Sequence, residues 1–190
     1  MELLLGIFSA FGLSASAGLN AYIPLLVVGV IAHYFPATLN LAKPFDLLAN
    51  PWILILLGVL VIIEMVADKV PAVNHVNDLI QTIVRPVAGA IAFAASANVI
   101  TDVNPILALA CGLLVAGSVH TVKAAAVRPA VTAATGGAGN LPVSIAEDII
   151  ATITSILAIL IPVIVGTLLI IVLALVLWWL WRRSQKSQTA

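Results

Sequence analysis

The chain has 190 residues, 63% of them hydrophobic and 8% charged, with a formal net charge of +0 and a mean hydropathy of +1.22. No soluble domain of ordinary composition approaches these values, and the lack of surplus basic charge excludes a nucleic-acid-binding surface. Apolar runs are continuous rather than alternating, which excludes a β-barrel and leaves an all-α integral membrane protein, a polytopic helical bundle forming a single domain over residues 1–190.

Leu3–Leu13 is apolar and breaks at Ser14-Ala-Ser-Ala-Gly-Leu-Asn20. This resembles a signal peptide with its cleavage site, but only Glu2 stands where a basic segment belongs, so it reads as a retained helix. Ala21–Phe35 follows, and each half is short for a span, giving one broken helix or a re-entrant hairpin. Pro36–Asn50 reads as a solvent loop, and Pro51–Ala67 as a spanning helix ended by Asp68-Lys69-Val70-Pro71. The next helix is expected to start near His75 and run to Ala95, before a polar break at Asn98–Asn104. Pro105–Val127 spans again, Pro129 should kink or end it, and Thr135–Asn140 is the most flexible point. Ser144 to Trp181 as one straight helix would reach roughly 55 Å at about 1.5 Å per residue, so a turn near Pro162–Gly166 makes two helices. Trp178, Trp179 and Trp181 form an interface belt, and the basic tail 182–190 is cytoplasmic by the positive-inside rule. Cys111, the lone cysteine, reads as a small buried hydrophobe.

Two segments share a frame, defining repeat units 50–98 and 104–140. Asn50-Pro51 leads to Gly58 and Lys69, and Asn104-Pro105 leads to Gly112 and Lys123 at the same offsets. Each unit then reaches an Arg-Pro, at Arg85-Pro86 and Arg128-Pro129, and closes on a small-residue run ending in Asn98 or Asn140. Internal repeats that meet at broken helices are a recurrent transporter architecture.

The charged residues cluster in Glu64–Pro86, within an otherwise nearly uncharged background. His75, Asp78, Thr82 and Arg85 share a helical face, as do Glu64 and Asp68. Such a stripe is either a path for ions, protons or a polar substrate, or a neutral staple, for instance Asp78 with Arg85 through Thr82. Lys69 belongs to the same group. His120, Lys123 and Arg128 form a cationic counterpart that would recognise an anionic group; the blander account, favoured at this level, is snorkelling from a helix end. Ser144 and Glu147 match a capping box, which accounts for Glu147, while Asp148 falls on a polar face with Ser144, Thr152 and Ser155 and is expected to point inward. Breaks ending in Asn20, Asn98 and Asn140 could aim helix N-termini at one centre. Gly112/Ala116 and Gly89/Phe93 lie at helix-contact spacing.

The stretch EMVADKVPAVNHVNDLIQTIVRPVAGA, with SAGLNAYIPL before it and the His120–Lys123 and Ala-Glu-Asp stretches after it, resembles a bacterial multi-pass membrane protein family known as domain of unknown function 4126. The resemblance implies a small helical inner-membrane protein and supplies no catalytic residues. No nucleotide-binding loop, zinc-protease or serine-hydrolase motif occurs, no cofactor is expected, and the acidic residues match no standard metal site. The expected activity is therefore a carrier for an ion or small polar solute, completed by homo-oligomerisation given the chain's size. A non-transporting membrane scaffold is the alternative, and a lipid-processing enzyme a third, lacking a nucleophile–base pair.

Overall fold

A computed structural model describes residues 2–68, 71–97 and 104–188. Lys69 and Asn98 lie outside the described residues, as do the side chains of His75 and Asp78. The described residues are helices joined by short connections and contain no strand.

The first helix, α1 (Glu2–Leu19), forms the middle of the bundle and packs against four others: α4 (Pro71–Ala97), α5 (Pro105–Val122), α7 (Asn140–Leu160) and α8 (Pro162–Gln188). Its small residues make that possible, since Ala10, Ser14 and Ala17 are fully buried. A Cβ at Gly18 would stand 2.6 Å from the Ala116 carbonyl oxygen. Between helices in lipid, such close backbone approach supplies the packing that a hydrophobic drive cannot. Helices α4 and α5 cross where Gly89 faces Gly112, and a side chain at Gly112 would collide with the Gly89 carbonyl oxygen. Cys111 is half-buried beside the small cluster of Ala10, Phe93, Ala94 and Ala108.

Helix α1 ends at Asn20, and α2 (Tyr22–Tyr34) begins at once. With 13 residues, α2 is about 20 Å long, short of a hydrocarbon core of about 30 Å. The expected solvent loop after it is partly internal: Leu39 and Leu41 are buried in the main core, and Phe45–Ala49 forms a short 3-10 helix. Those two apolar side chains, spaced by one residue, tie the segment into the core, and the 3-10 helix packs against α2.

Helix α3 (Pro51–Ala67) and helix α5 start identically. Asn50 Oδ1 accepts from the Trp52 N–H at 2.9 Å, and Asn104 Oδ1 from those of Ile106 at 2.9 Å and Leu107 at 3.4 Å. Each cap is followed by proline at the first helical position, where its missing N–H is harmless. Helix α4 likewise starts at Pro71, earlier than expected, and runs through Pro86. After α5 the chain widens into a π-turn, Lys123–Val127, and continues as α6 (Arg128–Thr135). The wide turn stands immediately before Pro129, where an α-turn would drive the proline ring into the preceding carbonyl.

Thr135–Asn140 is a tight turn carried by Gly136 and Gly137, with φ of 62° and 93°, a conformation that favours glycine. Helix α7 then opens at Asn140, so Ser144 and Glu147 lie inside it, and the expected capping box does not form. The glycine turn starts the helix a full turn earlier, which frees Glu147 from a terminal role. The break at Ile161 separates α7 from α8 where a turn is expected. At the far end of α8, Trp178, Trp179 and Trp181 are exposed, and the Arg182 guanidinium sits 4.4 Å from the Trp178 ring centroid.

Four stretches are long and apolar enough to cross a membrane: Leu79–Ser96, Pro105–Thr135, Asn140–Leu160 and Pro162–Trp179. Exposed Leu, Ile and Val line the outward faces of the last three along much of their length and of the first as far as Val87. In water such a surface would aggregate; against lipid it is ordinary.

Candidate functional site: a buried ion network at the helix breaks

Among the described residues, three carboxylates and three cations from five helical segments interlock in the bundle. Glu64, near the end of α3, is 1% exposed, and Arg85, inside α4, is 0% exposed. Arg85 donates from Nε and Nη2 to Glu64 Oε1 at 3.1 and 3.0 Å, and from Nη2 to Asp68 Oδ2 at 3.3 Å. Asp68 closes α3 and is the hub: its Oδ2 lies 3.5 Å from Lys123 Nζ and 3.2 Å from Arg128 Nη2, while its Oδ1 accepts from Asn77 Nδ2 at 2.6 Å. Glu147, on α7, meets Lys123 at 2.8 Å and Arg128 at 3.1 Å. Each carboxylate faces at least one guanidinium or ammonium, the arrangement that offsets desolvation of buried charge.

The interruptions feed backbone atoms into this network. Where α1 gives way to α2, the Ala21 N–H donates to both oxygens of Glu64, at 3.3 and 3.1 Å, and the Leu19 carbonyl accepts from Lys123 Nζ at 3.0 Å. Asn20 sits between them. Its Oδ1 accepts from the N–H groups of Tyr22 and Ile23, capping α2, and its Nδ2 donates to Asp148 Oδ1 at 3.0 Å. Glu64 is thus an anion at the N-terminus of α2, where helix dipole and free N–H groups favour negative charge. Lys123 opens the π-turn and reaches the same break from the other side.

His120 extends the network. Arg85 Nη1 lies 3.3 Å from His120 Nδ1 and has no lone pair, so the imidazole nitrogen accepts. The proton then resides on Nε2, which donates to Thr82 Oγ1 at 3.3 Å. Among the described residues, Gln81 Oε1, one turn before Arg85, and Ser144 Oγ, one turn before Glu147 and Asp148, are buried with no hydrogen-bond partner.

Of the residues expected from sequence, Glu64, Asp68, Arg85, His120, Lys123, Arg128, Asn20 and Asp148 are brought together. Lys123 and Arg128 do not snorkel from a helix end; they are 3% and 7% exposed, held inward by Asp68 and Glu147. Asn140 instead bonds Thr132 across the glycine turn. Arg85 reaches Glu64 and Asp68, and the hydroxyl of Thr82 serves His120. Glu147, Asn77 and Gln81 were missed as site residues. The last two were legible: Asn77, Gln81 and Arg85 recur every fourth residue, one buried polar face of α4.

Stacked apolar helices around a buried ion network define a polytopic α-helical membrane protein with a charged interior. Residues 7–183 match the family model Domain of unknown function (DUF4126), and the chain belongs to that family. No curated protein and no solved structure matches it.

Proposed function

We propose that the protein is a small membrane carrier in which the ion network takes up and releases a proton or a small polar solute. The observation that carries this reading is the α1–α2 break, where an open backbone N–H and C=O are spent on Glu64 and Lys123. Irregular backbone at membrane depth that ends on charged groups is how carriers build midplane sites. Buried ion pairs add little stability over apolar packing, so the six charges of the described residues exceed what holding the fold requires. The unpartnered Gln81 Oε1 and Ser144 Oγ offer further polar contacts to a solute. In this reading α1–α2 forms a re-entrant pair, and the units 50–98 and 104–140 are repeats, each opened by an Asn cap and proline. The chain sits in a bacterial inner membrane as a homo-oligomer, with the tail from Arg182 in the cytoplasm; a reporter enzyme fused there should be active only on that side.

The test is reconstitution into sealed liposomes containing a pH-sensitive dye. An imposed gradient should decay through the wild-type protein, and Glu64→Gln, which keeps an acceptor for the Ala21 N–H, should slow the decay about tenfold without unfolding. A folded protein that passes neither protons nor the ions or solutes tried would favour the second reading, a scaffold. What supports the scaffold is the even pairing of Glu64, Asp68 and Glu147 with Arg85, Lys123 and Arg128.

A further inference from the structure

We infer that the cavity between α2, α3 and α7 is a slot for one acyl chain of a bilayer phospholipid, entered from the side. Its volume is about 410 Å³, within the range of small-molecule sites. Ile23 and Leu26 of α2 and Val61 and Met65 of α3 form two of its walls.

The third wall gives the slot its direction. Ile145, Ile149 and Ile153 of α7 recur every fourth residue, so they make one strip about 12 Å long, parallel to the helix axis. Helix α7 is long and apolar enough to cross the membrane, and the strip therefore runs the way lipid chains run. These isoleucines are about half exposed, and in the bilayer their open side meets hydrocarbon rather than water. Ile23, by contrast, is 5% exposed, so the slot is a recess in the outer face rather than a part of it.

Polarity decides between occupants. An apolar cavity does not hold water, and left unfilled it costs its walls their contacts on one side. Two lining residues are polar, and both bond within the protein. Asp148 Oδ1 accepts from Asn20 Nδ2 at 3.0 Å, and the Thr152 hydroxyl donates to the Asp148 backbone carbonyl at 2.8 Å. Among the described residues no lysine, arginine or histidine lines the cavity, so the carboxylate of a free fatty acid would find no cation there. A phospholipid avoids that cost, because its head group stays at the membrane surface while one chain enters. What retains the chain is close contact with packed side chains, the same attraction that joins helices in lipid. The chain would bear on Ile23, whose N–H donates to Asn20 Oδ1 at 3.1 Å, and so brace the first turn of α2 at the α1–α2 break. The inference stands apart from the carrier reading, because occupancy is measured with no gradient.

The experiment places the full chain in phosphatidylcholine nanodiscs doped with a phosphatidylcholine that carries a diazirine in one acyl chain. After illumination, lipid adducts are located by mass spectrometry. They should appear on Ile23 as well as on the exposed Leu173 and Leu175 of α8. Val61→Trp, which fills the slot, should cut the Ile23 adducts about tenfold and leave those on α8 unchanged. Should that variant fail to fold, Leu26→Trp fills the slot from the α2 wall and should do the same. Adducts on α8 without any on Ile23 would overturn the inference, as would Ile23 adducts that survive in a folded variant with the slot filled. Heavier labelling of Ile23 by a diazirine fatty acid at equal concentration would overturn it in favour of a free acid. Ile23 labelling confined to discs holding a single copy would overturn it as well, marking the slot as an interface between copies.

Discussion

Arg85 binds two carboxylates at once and has no exposure to solvent, which sets what its loss would do. Arg85→Met leaves Glu64 buried without its cation and should destabilise the protein by about 3–5 kcal/mol, read as denaturant or thermal unfolding in detergent. The double variant Glu64→Gln/Arg85→Met removes the charge together with its partner. Asp68 keeps Lys123 and Arg128, and the glutamine still accepts from Ala21, so more than half of the loss should return. A double variant as unstable as the single one would show that the pair is not the source of the effect. At this scale the sequence was informative about which charges matter, because each ionised group in so apolar a chain must find a partner. It was misleading at Glu147, where a local pattern, serine three residues before glutamate, had a sufficient local explanation. A pairing with Lys123 and Arg128 across the bundle leaves no trace in local spacing.

The elements are defined by their ends. Asn20 caps α2 and holds Asp148, so Asn20→Ala should cost about 1–3 kcal/mol, the sum of a lost cap and a lost hydrogen bond to a charged group. A change within experimental error would mean that the break is held by Glu64 and Lys123 alone. Asn50 and Asn104 make the same cap on exposed helix ends, so alanine at either should cost about 1 kcal/mol, and the two losses should match. Gly112→Leu meets the Gly89 carbonyl and the Phe93 Cβ on α4 and should prevent accumulation of folded protein; stable expression would contradict the crossing. Proline and asparagine announced most of these ends in advance, since proline acts through its own ring-locked backbone and asparagine through a side-chain oxygen that takes the N–H two or three residues on. Helix α7 began earlier than expected because two glycines at positive φ, rather than a side-chain cap, make the turn before it.

For the whole molecule, enclosure of α1 is the organising fact. Its backbone is covered by α4, α5, α7 and α8, whereas α8 contacts only part of the bundle and presents apolar residues outward along most of its length. Amide hydrogen exchange in nanodiscs should therefore be slowest in α1, by about tenfold or more relative to α2, which ends at the exposed Tyr34 and Phe35. Faster exchange in α1 than in α2 would contradict that enclosure.

Composition and apolar run length determined by themselves that this is a helical membrane protein, because a chain this poor in charge must leave apolar surface exposed in any fold, and only lipid tolerates that. Its prolines, asparagines and glycines set the helix ends through strictly local chemistry. Which cation meets which carboxylate, that a broken helix lends its N–H and C=O to them, and that Asp148 borders a cavity were decided only by the tertiary structure. Those contacts join residues far apart in the chain, and the strength of a buried charge depends on everything packed around it rather than on its neighbours in sequence.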